Sequence, residues 1–191
     1  ASAVNMYNVA IGYAAGEGIT TGVQNTVIGS LAGDAVTTGS YNVILGTNGG
    51  GGVTTGSQNI IIGQGTGTAA LTGSLNTIVG DSAGAAMTSG TQNTAVGAAS
   101  LSSNTTANSN AALGYEALRD NTTGASNTAI GHNSMVVNST GANNTAVGNF
   151  ALLFNTTAAN NTAVGTSALA ANTTGAQNTA VGQAAGDALT V

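Results

Sequence analysis

One asparagine sets the frame of this chain. It stands at Asn8, Asn25, Asn42, Asn59, Asn76, Asn93, Asn110, Asn127, Asn144, Asn161 and Asn178, and the step is seventeen residues every time. With that Asn as position 1, position 5 is always glycine: Gly12, Gly29, Gly46, Gly63, Gly80, Gly97, Gly114, Gly131, Gly148, Gly165 and Gly182. Position 4 is Ile, Leu or Val, position 8 is small, and position 14 is Thr or Ser in every repeat from Thr21 to Thr174. A period kept without insertion means that each unit stacks on the last in one pose and touches only its neighbours. Helical solenoid units need about 33 to 47 residues and leucine-rich units about 20 to 29, so seventeen is too short for either.

A unit of this length fits one coil of β-structure. Positions 2 to 4, as in Val43-Ile44-Leu45, are β-branched or small and end at the position-5 glycine, which predicts a short strand. Positions 12 to 14 predict a second strand, ended by the glycine common at position 15. The predicted fold class is all-β, a parallel β-solenoid of eleven 17-residue coils. Like residues would stack about 4.8 Å apart, giving a rod of roughly 50 Å. A stacked interior Asn can form an amide ladder that serves turn backbone, and Gly suits a position needing positive φ or close approach. Proline is absent, as suits coils that must donate N–H groups to their neighbours.

The repeats are of two kinds. Position 9 is Gly16, Gly33, Gly50, Gly67, Gly84 and Gly186 in repeats 1 to 5 and 11, where position 12 is apolar: Ile19, Val36, Val53, Ala70, Met87 and Leu189. In repeats 6 to 10, position 9 becomes Leu101, Leu118, Met135, Leu152 and Leu169, and position 12 becomes Asn104, Asn121, Asn138, Asn155 and Asn172. Volume compensation is the expected reason for the exchange, since close-packed interiors penalise both voids and overfilling by roughly a few kcal/mol; the alternative is duplication of two ancestral units with no packing consequence. The expected organisation is one continuous rod. Residues 1–7 form part of a leading coil, 8–92 the Gly-type repeats, 93–177 the Leu-type repeats and 178–191 a shortened eleventh. The packing changes near residues 93–104. Termini lying in mid-repeat lead us to expect flanking sequence or end-to-end partners.

Variation gathers at positions 6, 7, 10 and 11, read here as the solvent face, while the fixed positions are read as buried. All charges fall there: Glu17, Asp34, Asp81, Glu116, Arg119, Asp120 and Asp187. So do the candidate surface contacts Tyr13, Tyr115, Arg119, His132, Phe150 and Phe154. A single basic residue, Arg119, cannot neutralise a phosphate backbone or make a polybasic anchor, so nucleic-acid binding and that mode of membrane attachment are excluded. No run of 18 apolar residues is present, so no membrane insertion is expected. Disorder is excluded because 41% of residues are hydrophobic and the net charge is only −5.

Chemistry is hard to find. One His builds no metal site alone, Asp and Glu are scattered, and no phosphate loop with its Lys occurs. The Gly49-Gly50-Gly51-Gly52 run lacks the Asp of calcium-binding repeats. His132 near Ser134 reads as a surface side chain. No catalytic residue, metal or cofactor is predicted.

A coil this thin, built on Ala and Val, has little core of its own, and burial between chains would supplement it. The pentapeptides Asn93–Gly97, Asn144–Gly148, Asn161–Gly165 and Asn178–Gly182 read NTAVG, and Asn127–Gly131 reads NTAIG. With the following "AL…NTTG", they resemble the repeats of bacteriophage tail fibres and related secreted fibres. They are also similar to the head motif of trimeric autotransporter adhesins. The resemblance implies a homotrimeric β-shaft on a virion or outside the cell, with a cell-surface receptor or glycan as partner. The expected function is therefore a structural fibre segment with self as its main partner, as a homotrimer or an end-to-end filament. The alternative is an ice- or polysaccharide-binding module using the Thr pair at positions 13 and 14. Adjacent residues of a strand face opposite ways, so only one Thr column of that pair would be outward.

Overall fold

The computed structural model describes residues 6–188. Among them there is no helix, and every strand has three residues, from β1 (Val9–Ile11) and β2 (Thr26–Ile28) at seventeen-residue steps to β11 (Thr179–Val181). The strands form one parallel sheet in sequence order, each in register with the next: Val27 lies beside Ile44, Ile44 beside Ile61. The chain is a parallel β-solenoid of seventeen-residue period. The central residue of each strand points inward, and Val27, Ile44, Ile61, Ile78, Ala95 and Ala112 are fully buried. Strand alternation then turns positions 2 and 4 outward.

Positions 12 to 14 do not form the second strand expected from sequence. The chain bends there, and successive N–H groups converge on one carbonyl of the next coil in place of a strand ladder: Thr20, Thr21 and Gly22 N–H all donate to Thr37 O, at 3.0, 3.2 and 3.2 Å. The reason is geometric. Seventeen residues must close a circuit, and most of them are spent on corners. Those corners use left-handed backbone at positions 7, 9 and 17, as in Leu31 (φ 56°), Leu118 (φ 51°) and Gln58 (φ 58°). Each such residue turns the chain while its N–H still reaches a neighbouring coil. Leu31 N–H donates to Tyr13 O and Gln58 N–H to Ser40 O. Position 5 differs, with φ between 126° and 142° in all eleven coils. A Cβ at Gly29 would lie 2.5 Å from the carbonyl oxygen of Gly46, so neither backbone nor space admits a side chain.

The interior explains the two kinds of repeat. In Gly-type coils, Val36, Val53 and Met87 fill the space beneath position 3; in Leu-type coils, Leu101, Leu118, Met135, Leu152 and Leu169 fill it from position 9. Position 3 completes the exchange: a Cβ on Gly50 would meet Ile44 Cγ2 at 3.0 Å, and every Leu-type coil carries Ala at position 3. Leu189 lies outside the described residues. Coil 4 corrects the sequence reading. Ala70 is exposed and Leu71, one residue later, is fully buried in its place. Val53 pairs with Leu71 across an eighteen-residue step, and Thr72 N–H returns to Thr88 O across sixteen. The chain slips by one residue because Ala leaves a gap that Leu fills, a gain of about 2 kcal/mol for three buried carbons.

Candidate functional site

Two columns of buried asparagine tie the coils together. Along the position-1 column, each Asn accepts the backbone N–H of the next through Oδ1 at 2.7–3.0 Å, as Asn25 does from Asn42 and Asn127 from Asn144. From Asn8 to Asn161 each Nδ2 donates to the position-15 carbonyl of its own coil, Asn25 to Gly39 at 2.9 Å and Asn144 to Ala158 at 2.8 Å, whereas Asn178 Nδ2 is buried without a partner. One side chain thus closes its own coil and receives the next.

The second column is one that sequence reasoning missed. Asn104, Asn121, Asn138, Asn155 and Asn172 are fully buried. Asn138 Nδ2 donates to Asn121 Oδ1 at 2.8 Å and to Gly141 O at 3.0 Å, and Asn155 repeats this with Asn138 and Ala158. In Leu-type coils the position-15 carbonyl therefore accepts from two amides. The column stops at Asn172, whose Oδ1 is buried without a partner; the sequence of the next coil places Leu189 at the corresponding position. The co-variation of Leu at position 9 with Asn at position 12 was the available signal.

The outer surface has three bands. The first is the sheet face at positions 2 and 4. Position 4, fixed as aliphatic in sequence and read as buried, is not buried in any coil: Ile11 is 58% exposed and Leu113 48%. The second is the hydroxyl band. Position-13 hydroxyls, that of Thr54 apart, are spent on the next coil's carbonyl at 3.0–3.2 Å, as in Thr37 to Thr54 and Thr88 to Thr105. At position 14, Thr21, Thr38, Thr55, Thr106 and Thr123 are exposed and make no side-chain hydrogen bond within the protein. In slipped coil 4, Thr72 at position 14 takes over the inter-coil bond, at 3.2 Å.

The third band, positions 6 to 11, carries the charges and, apart from Tyr7 and Tyr41 at position 17, the aromatics. It is not uniformly solvated, since Val136 and Ala170 at position 10 are buried. Three of the candidate contacts come together. Tyr115 and His132 stack with centroids 5.3 Å apart and planes inclined by 17°, and Phe150 meets His132 edge-on at 5.6 Å. Arg119 sits in the coil of Tyr115. Its Nε and Nη2 grip Asp120 at 2.7 Å each and its Nη1 holds Glu116 at 2.8 Å. Asp120, then Glu116, push the guanidinium pKa up against the opposing cost of desolvation. Glu116, as hydrogen-bond acceptor and as charge, raises the Tyr115 phenol pKa. The side chains stay over a third exposed at Arg119 and Asp120, so solvent screening keeps this cluster to about 1 kcal/mol. Tyr13 and Phe154 are exposed and lie outside the aromatic group. Ser134 does not face His132: it is buried and its hydroxyl donates to Ala146 O at 3.1 Å.

Among the described residues no cavity opens, and no three His, Cys, Asp or Glu side chains converge. No helix there is long and apolar enough to cross a membrane. The class defined by fold and surface is thus the parallel β-solenoid with an uncharged sheet face and one mixed aromatic and ionic patch. Comparison with known families, characterised proteins and solved structures finds no match.

Proposed function

We propose that this chain is a structural segment of a fibre, a rod that sets reach and stiffness and assembles with copies of itself as a homotrimer or end to end. The observation that carries the reading is the single sheet in strict sequence order, in which every coil bonds the next around its whole circuit. Such a stack turns added repeats into length at about 4.8 Å each, and bending it strains inter-coil bonds on every side. A setting outside the cell or on a virion rests on the resemblance of the NTAVG repeats. In that setting the Tyr115, His132 and Phe150 column beside Arg119 is the patch we assign to a receptor or glycan. We assign no catalytic step and no cofactor.

Deleting coils 7 and 8 together, residues 110–143, tests the reading. Small-angle scattering is expected to show a rod shorter by about 10 Å at unchanged cross-section. A length that does not change would refute it.

A second reading has its own observation, the exposed position-14 Thr column with unspent hydroxyls at a regular rise. An ice- or polysaccharide-binding module would use that column. It predicts thermal hysteresis or polysaccharide pull-down that is lost in Thr106→Val/Thr123→Val. Their absence in the unaltered chain removes this reading.

A further inference from the structure

The outward column at position 4 is not explained by the coil itself. It runs through all eleven coils as Ile, Leu or Val, and no member is buried; Ile62, Ile130 and Val181 are 37%, 39% and 70% exposed. Strand formation does not require aliphatics there. Position 2 points out of the same strands and is Thr in seven coils, from Thr26 to Thr179, whereas position 4 is never Thr. In-register pairing sets these side chains one above another, Ile28 beside Leu45 and Leu45 beside Ile62. The result is an unbroken aliphatic ridge flanked by Thr, Val, Ile and Ala. A contiguous apolar strip of this kind on a monomer marks a surface that is covered.

We propose that the outer sheet face, positions 2 and 4 of successive coils, is the surface on which copies of this chain pack side by side. The inference rests on the self-association read above and names its face. Three features favour a second copy. The ridge repeats once per coil, so another rod of the same rise keeps step with it along the full length, which a globular partner does not. The face carries no charge: the six acidic residues and Arg119 all lie at positions 6 to 11. Two chains of net charge −5 can therefore meet here without bringing carboxylates together. Finally, a strip about 50 Å long and about 10 Å wide gives roughly 500 Å² per copy, or about 1,000 Å² in all, the lower bound of a specific interface.

Light scattering on a sizing column, over a range of concentrations, tests the face. Two substitutions, Val79→Thr/Leu113→Thr, replace ridge residues by one that these strands already carry at position 2. Val79→Glu/Leu113→Glu is the stronger form, and Thr106→Glu/Thr123→Glu on the hydroxyl band is the control, with circular dichroism checking the fold of each. The expected result is a dimer or trimer for the unaltered chain and the control. Dissociation should rise at least about tenfold in the Thr form, and the Glu form should run at single-chain mass. An unaltered chain of single mass at all concentrations overturns self-association itself. An oligomer indifferent to both ridge variants overturns the face alone. Thermal hysteresis in a monomeric chain, lost in the ridge variants, would assign the face to ice and overturn the proposal.

Discussion

Coil 5 abuts the change of packing, and there the three-way exchange of volume can be reversed by substitution. Ile78 and Met87 are fully buried, and a Cβ on Gly84 would lie 3.1 Å from Ile78 Cδ1 and 3.2 Å from its Cγ2. Gly84→Leu alone overpacks this space at about 2 kcal/mol, and its left-handed backbone adds about 1 kcal/mol. Ile78→Ala alone leaves a cavity, at about 3 kcal/mol. Met87→Asn alone vacates volume and buries an amide, at about 3 kcal/mol. Independent effects would sum to about 9 kcal/mol. Together the three substitutions reproduce the set Ala95, Leu101 and Asn104 of coil 6, with the Gly90 carbonyl placed as the Ala107 carbonyl is for Asn104. The triple variant is expected to lose under about 3 kcal/mol, a favourable coupling of about 6 kcal/mol. Urea unfolding of all eight combinations, followed by circular dichroism, measures it. A triple variant within about 1 kcal/mol of the additive sum would refute volume compensation.

Asn127→Ala should destabilise by about 3 kcal/mol, because it orphans the buried Asn144 N–H and one acceptor site on Gly141 O; thermal melting against Thr123→Ala, expected within about 0.5 kcal/mol, checks it. Gly131→Ala should cost more than about 3 kcal/mol, since its Cβ would lie 2.6 Å from Gly148 O at φ 133°; Gly141→Ala also sets a Cβ against Ala158 O and Asn138 Oδ1, but without a left-handed φ and at a place that Ala107 and Ala158 fill in other coils, and should cost less. Glu116→Gln should lower the Tyr115 phenol toward its ordinary pKa, because the variant weakens the hydrogen bond that holds the phenol proton and removes a negative charge that disfavours phenolate; phenolate absorbance against pH reads the shift, and an unchanged midpoint would contradict it.

The aromatic patch shows how much of the candidate site was legible. Tyr115 and His132 share position 6 in successive coils, so their stacking follows from the period alone. Phe150 stands at position 7 of the next coil, and its contact with His132 depends on the left-handed backbone there, φ 59°, which no glycine announces. Arg119, Glu116 and Asp120 are near in sequence, and their pairing was readable; its bidentate geometry was not.

What the sequence by itself determined is the period and everything that repeats with it. Ten identical steps impose one parallel, in-register sheet, and a Gly that never varies marks backbone where a Cβ has no room. A periodic constraint is legible because each coil states it again. What only the tertiary structure decided is phase: which of the fixed positions face inward. Position 4 is aliphatic in every coil yet faces out, Leu71 displaces Ala70 from the interior, and Asn at position 12 forms a buried ladder. Direction depends on how seventeen residues close their circuit, and that is settled by the volume inside the coil and by the carbonyls its neighbours present.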